Sequence, residues 1–388
     1  MKIEQIYDLV NPITEEITGE TALVQEDLSN VVQVGTAIQN IDGWQNKFVQ
    51  ALVDRIGRTI FVNRPYAGSA PSVMMDAWEY GSILMKISSE LPEAEVNESW
   101  ELTDGASYDP FVYKANPASA KFYDGLVTFE LDKSILDRQL KSSFADATQL
   151  NAFISMIFNE VDKSMTVKND ALVMRTINSF IGDTFYNLDP TGLAYSSSTG
   201  PRCVNLLKLY NDKYSTSLTA AAALSTPEFL RFASYHMGLY VKRLTKMSTL
   251  FNIGGKQRFT PADMLHIVYL DEFKQAAGVY LYDAANQFNS ESIRFPEAET
   301  VPFWQGSGTG YSFDDTSKIY LKTGSGNTIT ASGILGVMFD RDALGVCNQN
   351  SRVTTQYNAK AEFTNYFYKR DARYFNDANE NFVVFYVA

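Results

Sequence analysis

The sequence predicts an α+β fold: one long helix and a set of aromatic-rich strands frame a mixed domain, with an N-terminal arm and a long hairpin reaching outward. Three observations carry this. Apolar side chains fall near helical spacing through residues 146–181. Residues 126–131 alternate with period two, Leu126, Thr128 and Glu130 against Val127, Phe129 and Leu131. Residues 334–388 read as strands dense in Phe and Tyr.

The elements follow in chain order. Residues 1–43 hold short helical patterns interrupted by Gly19, Gly35 and Gly43, with too few large apolar residues to fold alone. In 46–57 (NKFVQALVDRIG), Phe48, Leu52 and Ile56 continue from Trp44 at every fourth position and give a helix one apolar edge. Asp54, Arg55 and Arg58 are charged, and 59–62 (TIFV) turns β-like. Residues 60–130 read as an extended hairpin, with 73–88 the outgoing limb, 125–131 the returning limb and a polar stretch, 90–118, between them. Loops of that length are usually functional or mobile. Residues 146–181 follow as a spine, capped by Asp146 and ended by Gly182. At 1.5 Å per residue it would span about 54 Å. Lys168, Asn169 and Asp170 weaken its middle and allow a kink there. Within 183–335, Thr226-Pro227-Glu228 opens a helix with proline in its first turn, and Lys242, Arg243 and Lys246 suit its last. Residues 265–270 (LHIVYL) form a buried-strand pattern and 271–282 a helix pattern.

The chain has 388 residues, room for one large or two to three ordinary domains. With 45% hydrophobic residues it can bury a core. Its 33 basic and 45 acidic residues leave a net charge of −12, a poor basis for wrapping nucleic acid, which needs clustered Lys and Arg. Two distant cysteines, Cys203 and Cys347, make neither a disulfide framework nor a zinc pattern, and both fit buried positions in a reducing cytoplasm. Residues 1–16 carry one Lys and no apolar run, so no signal peptide is expected. No stretch reaches the roughly 20 apolar residues of a membrane span. The 25 Phe, 22 Tyr and 4 Trp lean towards surfaces buried between proteins.

Catalytic chemistry usually needs His, Cys or paired carboxylates in a cleft. His236 falls on the apolar face of its helix and His266 inside a strand pattern, so both read as core histidines. Residues 306–310 (GSGTG) open no helix and lack the Gly-Lys-Ser/Thr ending of a phosphate loop. Asp314 and Asp315 read as a turn or a solvated edge. The one notable charge run is Glu90, Glu93, Glu95, Glu98, Glu101 and Asp104, which lacks calcium-loop spacing. It reads as a solvated loop tip, or as a partner for Arg55, Arg58 and Arg64 of an adjacent subunit. No catalytic, cofactor-binding or metal-ligating residues are expected.

The Phe48 to Gly57 block and the β run after it resemble the end of the N-terminal arm in major capsid proteins of small phi29-type podoviruses. Residues 336–340 (GVMFD), 363–368 (FTNYFY) and the closing strand 382–387 are similar to the same proteins. The order of elements resembles the HK97-like fold of tailed-phage major capsid proteins. That resemblance implies an N-arm at 1–59, an E-loop hairpin at 60–125, a P domain with its spine at 126–182 and an A domain at 183–335. Residues 336–388 would return as strands to the P domain. Relatives of this type carry an immunoglobulin-like module after the capsid fold, and this sequence stops at Ala388, which implies a leaner subunit.

The resulting expectation is a non-enzymatic shell subunit of a tailed double-stranded DNA phage, without cofactor. It would associate with itself as pentamers and hexamers, work with scaffolding and portal proteins, and enclose DNA without tight sequence-specific binding or any membrane. The expected location is the virion, after assembly in the host bacterial cytoplasm. A net repulsion from DNA suits a container wall. The expected interface residues are Trp44, Phe48, Arg55, Arg58, Arg64, Glu93, Glu95, Glu98 and Glu101. Alternatives are a connector or tail component, an enzyme of unrecognised class built on His236 or His266, and a secreted binding module.

Overall fold

Helix α1 (Ala147–Leu188), 42 residues long, organises the structure, a computed structural model. At 1.5 Å per residue it runs about 63 Å. The structure describes most of 66–388. Outside the described residues lie 67, 74–82, 98, 100, 112, 114, 116–117, 137–146, 191–194, 196, 285–294, 306–311 and 323–327, and nearly all of 1–65, together with the side chains of 147–154 and 281–284. The chain divides into two units, 1–64 with 148–156, and 65–147 with 157–388. The second is described here. The expected arm helix, the Asp146 cap and the GSGTG segment fall outside the described residues.

The helix corrects two expectations. It passes through Lys168, Asn169 and Asp170 unbroken and continues six residues beyond Gly182. Gly182 is not a cap. A Cβ there would come within 2.8 Å of Leu321 Cδ1, so the position needs glycine for close packing. Phe158 is 45% exposed, Val161 and Met165 beyond it are buried, and farther along Leu172, Val173, Ile177, Phe180, Ile181 and Phe185 are all buried. They recur at three- and four-residue steps and form the stripe that faces the core. Thr176 and Thr184, buried among them, return their hydroxyls to Leu172 O and Phe180 O at 2.8 and 2.7 Å.

Those apolar residues rest on a five-stranded sheet, in spatial order β4 (Cys203–Asn205), β12 (Phe382–Tyr386), β9 (Ile334–Asp340), β5 (Leu265–Leu270), β6 (Glu299–Val301). The outer pairs are parallel and the inner ones antiparallel. Strand β12 shows why its sequence is a continuous apolar run. Phe382 stacks on Phe180 of α1 with ring centres 4.1 Å apart, while Phe385 meets Tyr240 at 5.2 Å, on helix α4 (Pro227–Leu244). Residues three apart in a strand face opposite sides, so β12 is covered on both faces. Helices α2 (Leu206–Tyr214), α3 (Ala220–Ala223) and α5 (Asp271–Ala284) complete this region with the one-turn α6 (Phe313–Thr316). The expected strand 265–270 and the helix opening at Thr226 are both present. Ser312 caps α6, which places Asp314 and Asp315 in a helical turn.

A second, three-stranded antiparallel sheet has the order β10 (Leu344–Asn358), β11 (Phe363–Asn376), β3 (Leu126–Leu136). Strands β7 (Ile319–Lys322) and β8 (Thr328–Ala331) form a small hairpin. Strands β1 (Leu84–Ser89) and β2 (Ala118–Tyr123) form a separate one. One further expectation changes here. The returning limb of the long hairpin is 118–123, because residues 126–136 pair with β11 instead. Residues 336–388 are strands as expected and divide between two sheets, β9 and β12 in the five-stranded one and β10 and β11 in the three-stranded one.

Candidate functional site

The β1–β2 hairpin has two unlike faces. Met85 pairs with Phe122 and Ile87 with Ala120 in register. Met85, Ile87 and Phe122 share the outward face and are 52, 64 and 65% exposed. A lone subunit leaves this stripe in water, although burying each such side chain is worth about 1.5–3 kcal/mol.

On the inner face Lys86 and Lys121 stand directly opposite each other, a pairing that repels. Asp377 resolves it. Its Oδ2 lies 3.0 Å from Lys86 Nζ and its Oδ1 3.1 Å from Lys121 Nζ. Lys86 also reaches Glu380 at 2.8 Å, and Arg258 Nε lies 3.5 Å from the same carboxylate. Burial opposes ionisation of Asp377, but the Asn379 N–H and then the two lysines outweigh it and hold the carboxyl below its ordinary range. Burial likewise opposes the Lys86 charge, and Glu380 and Asp377 more than restore it. Farther along, Lys256 pairs with Glu90.

Beyond β1 every described residue of the tip, 90–117, is exposed. Val96, Phe111 and Tyr113 are 92, 89 and 87% exposed. Of the expected interface residues, Glu93, Glu95 and Glu101 lie on this tip, in solvent. Glu98, Trp44, Phe48, Arg55, Arg58 and Arg64 lie outside the described residues, so the acidic run and the arginines are not brought together here. Sequence reading missed the Asp377 clamp, since Lys86 and Lys121 become neighbours only through the hairpin register.

The segment leading to the hairpin is held by two carboxylates. Asp170 Oδ2 accepts from the Ser69 N–H at 2.8 Å and from the Tyr66 O–H at 3.1 Å. Glu299 Oε2 accepts from the Ser72 N–H at 2.7 Å and lies 3.2 Å from His266 Nε2. His266 is thus a buried, hydrogen-bonded histidine, as its strand position predicts. Desolvation lowers its pKa, with Glu299 opposing. His236 packs against the Phe232 ring, centres 4.2 Å apart.

Beside α1 lies a cavity of about 930 Å³. Phe303 and Trp304 form part of its wall, Arg175 and Lys322 line it, and Asn178 and Asn376 reach it from α1 and β11. The Asn178 Nδ2–H donates to Trp304 O at 2.6 Å, but the Oδ1 atoms of Asn178 and Asn376 find no donor. A buried acceptor left so costs about 1–3 kcal/mol.

With this geometry in view, the family comparison is decisive: the model of the phi29-like phage major capsid protein family matches residues 10–386. The chain belongs to that family. It is 22% identical over 367 residues to the major capsid protein of Bacillus phage GA-1, covering 94% of this chain and 66% of that protein. The chain thus spans just under two thirds of that relative's length. In fold it is similar to a chain in the capsid structure of Staphylococcus phage Andhra, with a TM-score of 0.53, 11% identity and coverage of 86% of this chain and 87% of that one. A chain from the structure of head fiber and inner core protein gp22 of native bacteriophage P68 gives 0.54 at 10% identity, covering 85 and 87%. The fold is the HK97-like α+β fold of phage capsid proteins.

Among the described residues no cluster of three His, Cys, Asp or Glu could hold a metal, and no helix is long and apolar enough to cross a membrane. Both cysteines are buried and unbridged, and burial pushes the Cys203 thiol up to about 12.

Proposed function

We propose that this chain is the tiling subunit of an icosahedral phage head, associating with copies of itself as pentamers and hexamers around double-stranded DNA. The observation that carries this is the hairpin: its outward apolar stripe and aromatic tip have no partner within the described subunit, while its inner face is ionically fixed to the body. Such a surface is stable in water only when a neighbour covers it. Family membership supports the same reading. The role is mechanical and needs no cofactor. Glu93, Glu95, Glu98 and Glu101 on the tip, Trp44, Phe48, Arg55 and Arg58 on the arm and Arg64 in the E-loop span are the proposed contacts between subunits. Scaffolding and portal proteins are the proposed helpers, the host bacterial cytoplasm the place of assembly and the virion the destination.

Negative-stain microscopy of the expressed chain, alone and with co-expressed phage head proteins, tests this. Capsomers, sheets or closed shells are expected. Rings or tubes of one fixed diameter would instead indicate a connector or tail component, and a strict monomer at high concentration in every salt would sink the proposal.

A further inference from the structure

In a chain of net charge −12, residues 229–262 hold Arg231, Lys242, Arg243, Lys246, Lys256 and Arg258 and no acidic residue. The stretch runs from α4 into a loop with a fixed frame. Ser248 and Arg258 exchange backbone hydrogen bonds of 2.9 and 3.0 Å, and the Thr260 N–H donates to Leu244 O at 2.8 Å. Within the loop the buried Asn252 donates through Nδ2 to Lys256 O at 2.6 Å and accepts the Lys256 N–H at 2.8 Å. The Gly254 N–H ties the loop to Ala378 O at 2.8 Å. On this frame three apolar side chains face water: Met247, Leu250 and Phe259 are 40, 55 and 47% exposed. Lys242, Arg243 and Lys246, just before them in the chain, are exposed as well. The α4 dipole favours cations at this end, but it gives no reason for the apolar trio. Cations around exposed apolar side chains suit an anionic partner that brings apolar side chains of its own. The loop's other two cations already take carboxylates: Lys256 pairs with Glu90, and Arg258 Nε lies 3.5 Å from Glu380. Among the described residues Lys242 and Lys246 have no such partner.

We propose that this surface docks an acidic amphipathic segment of a second protein, its apolar side chains on Met247, Leu250 and Phe259 and its carboxylates on Lys242, Arg243 and Lys246. Duplex DNA is a poorer match, because its phosphates would meet the cations and leave the apolar trio in water. The braced loop is already ordered, which lowers the cost of binding a short segment.

The probe is a fluorescein-labelled peptide of Leu-Glu-Glu-Leu blocks, titrated by anisotropy into the purified full chain at physiological salt. Saturable binding is expected, weakened about 10-fold by Lys242→Glu with Lys246→Glu and to a similar degree by Leu250→Ser. The same peptide with Gln in place of every Glu should bind the wild-type chain as weakly as the parent peptide binds the charge-reversed variant. Where reversal at the helix end unfolds the subunit, Lys242→Gln with Lys246→Gln makes the same test. No saturable binding, or binding that either variant leaves unchanged, would overturn the proposal. Tighter binding of duplex DNA or of phosphatidylserine vesicles, lost in the same variants, would overturn the peptide as occupant. If the variants stop the chain from associating with itself while the peptide does not bind, the surface is a contact between copies and the second protein is overturned.

Discussion

Asp377 neutralises two lysines that the hairpin register sets face to face, so a large share of the hairpin's attachment rests on one carboxylate. Asp377→Asn keeps the shape and removes the charge. The hairpin amides of β1 and β2 should then lose about 1–3 kcal/mol of hydrogen-exchange protection, because Lys86 and Lys121 are left partly buried and underpaired. Unchanged protection would mean that side-chain packing, not the clamp, holds the hairpin. The pH dependence has a definite sign. The folded pKa of Asp377 lies below the unfolded 3.8, so its contribution is complete above that value and is lost as pH falls through the lower folded one. Between about pH 5 and 8 the wild-type hairpin should hold constant protection after correction for intrinsic exchange, and it should loosen only in stronger acid. Loosening that begins as pH falls through 6.5, the ordinary histidine value, would instead point to His266.

At the scale of elements, α1 divides its load unevenly. Ile177 is fully buried, so Ile177→Ala should cost about 2–5 kcal/mol in denaturant unfolding of the unassembled subunit. Phe158 meets Tyr368 edge-on at 6.4 Å while remaining 45% exposed, so Phe158→Ala should cost about 0.5–1.5 kcal/mol. Equal losses would contradict a helix whose later half bears the core. The helix itself was legible because its periodicity is local. Which half is buried was not, since Phe158 and Phe180 look alike until β12 is placed against one of them. Strand 126–136 misled for the same reason: alternation identifies a strand, whereas the choice of β11 over the outgoing hairpin limb depends on residues more than 200 positions away. Residues 118–123 (ASAKFY), the true returning limb, begin with small residues and give a weak signal. Gly182 looks like a stop in sequence, and only the approach of Leu321 explains it. Of the candidate site, the acidic tip could be read directly. The clamp and the cavity could not, because their members come from distant parts of the chain.

For the whole molecule, the net charge of −12 sets the relation to nucleic acid. Assembled or free, the protein should bind duplex DNA weakly at physiological salt, with affinity falling steeply as salt rises, which filter binding over a salt series would measure. Tight binding at physiological salt would require a localised basic surface that overrides the net charge. In the proposed shell, charge and exposed apolar surface would divide the work: repulsion would keep the wall from adhering to enclosed DNA, while the hairpin stripe and tip would meet other subunits.

The position of β12 bears on how the subunit is made. Strand β4 takes its hydrogen-bonding neighbour from residues 384–386, and the Asn205 side chain donates to Ala388 O, 183 residues farther along. During synthesis the place between β4 and β9 therefore stays open until residues 382–386 have left the ribosome, while Phe180 and Tyr240 wait for rings that do not yet exist as folded partners. A nascent chain cannot close its core early. Until those residues emerge, the apolar faces of α1 and β9 that they cover stay exposed, a condition under which nascent chains need shielding from one another.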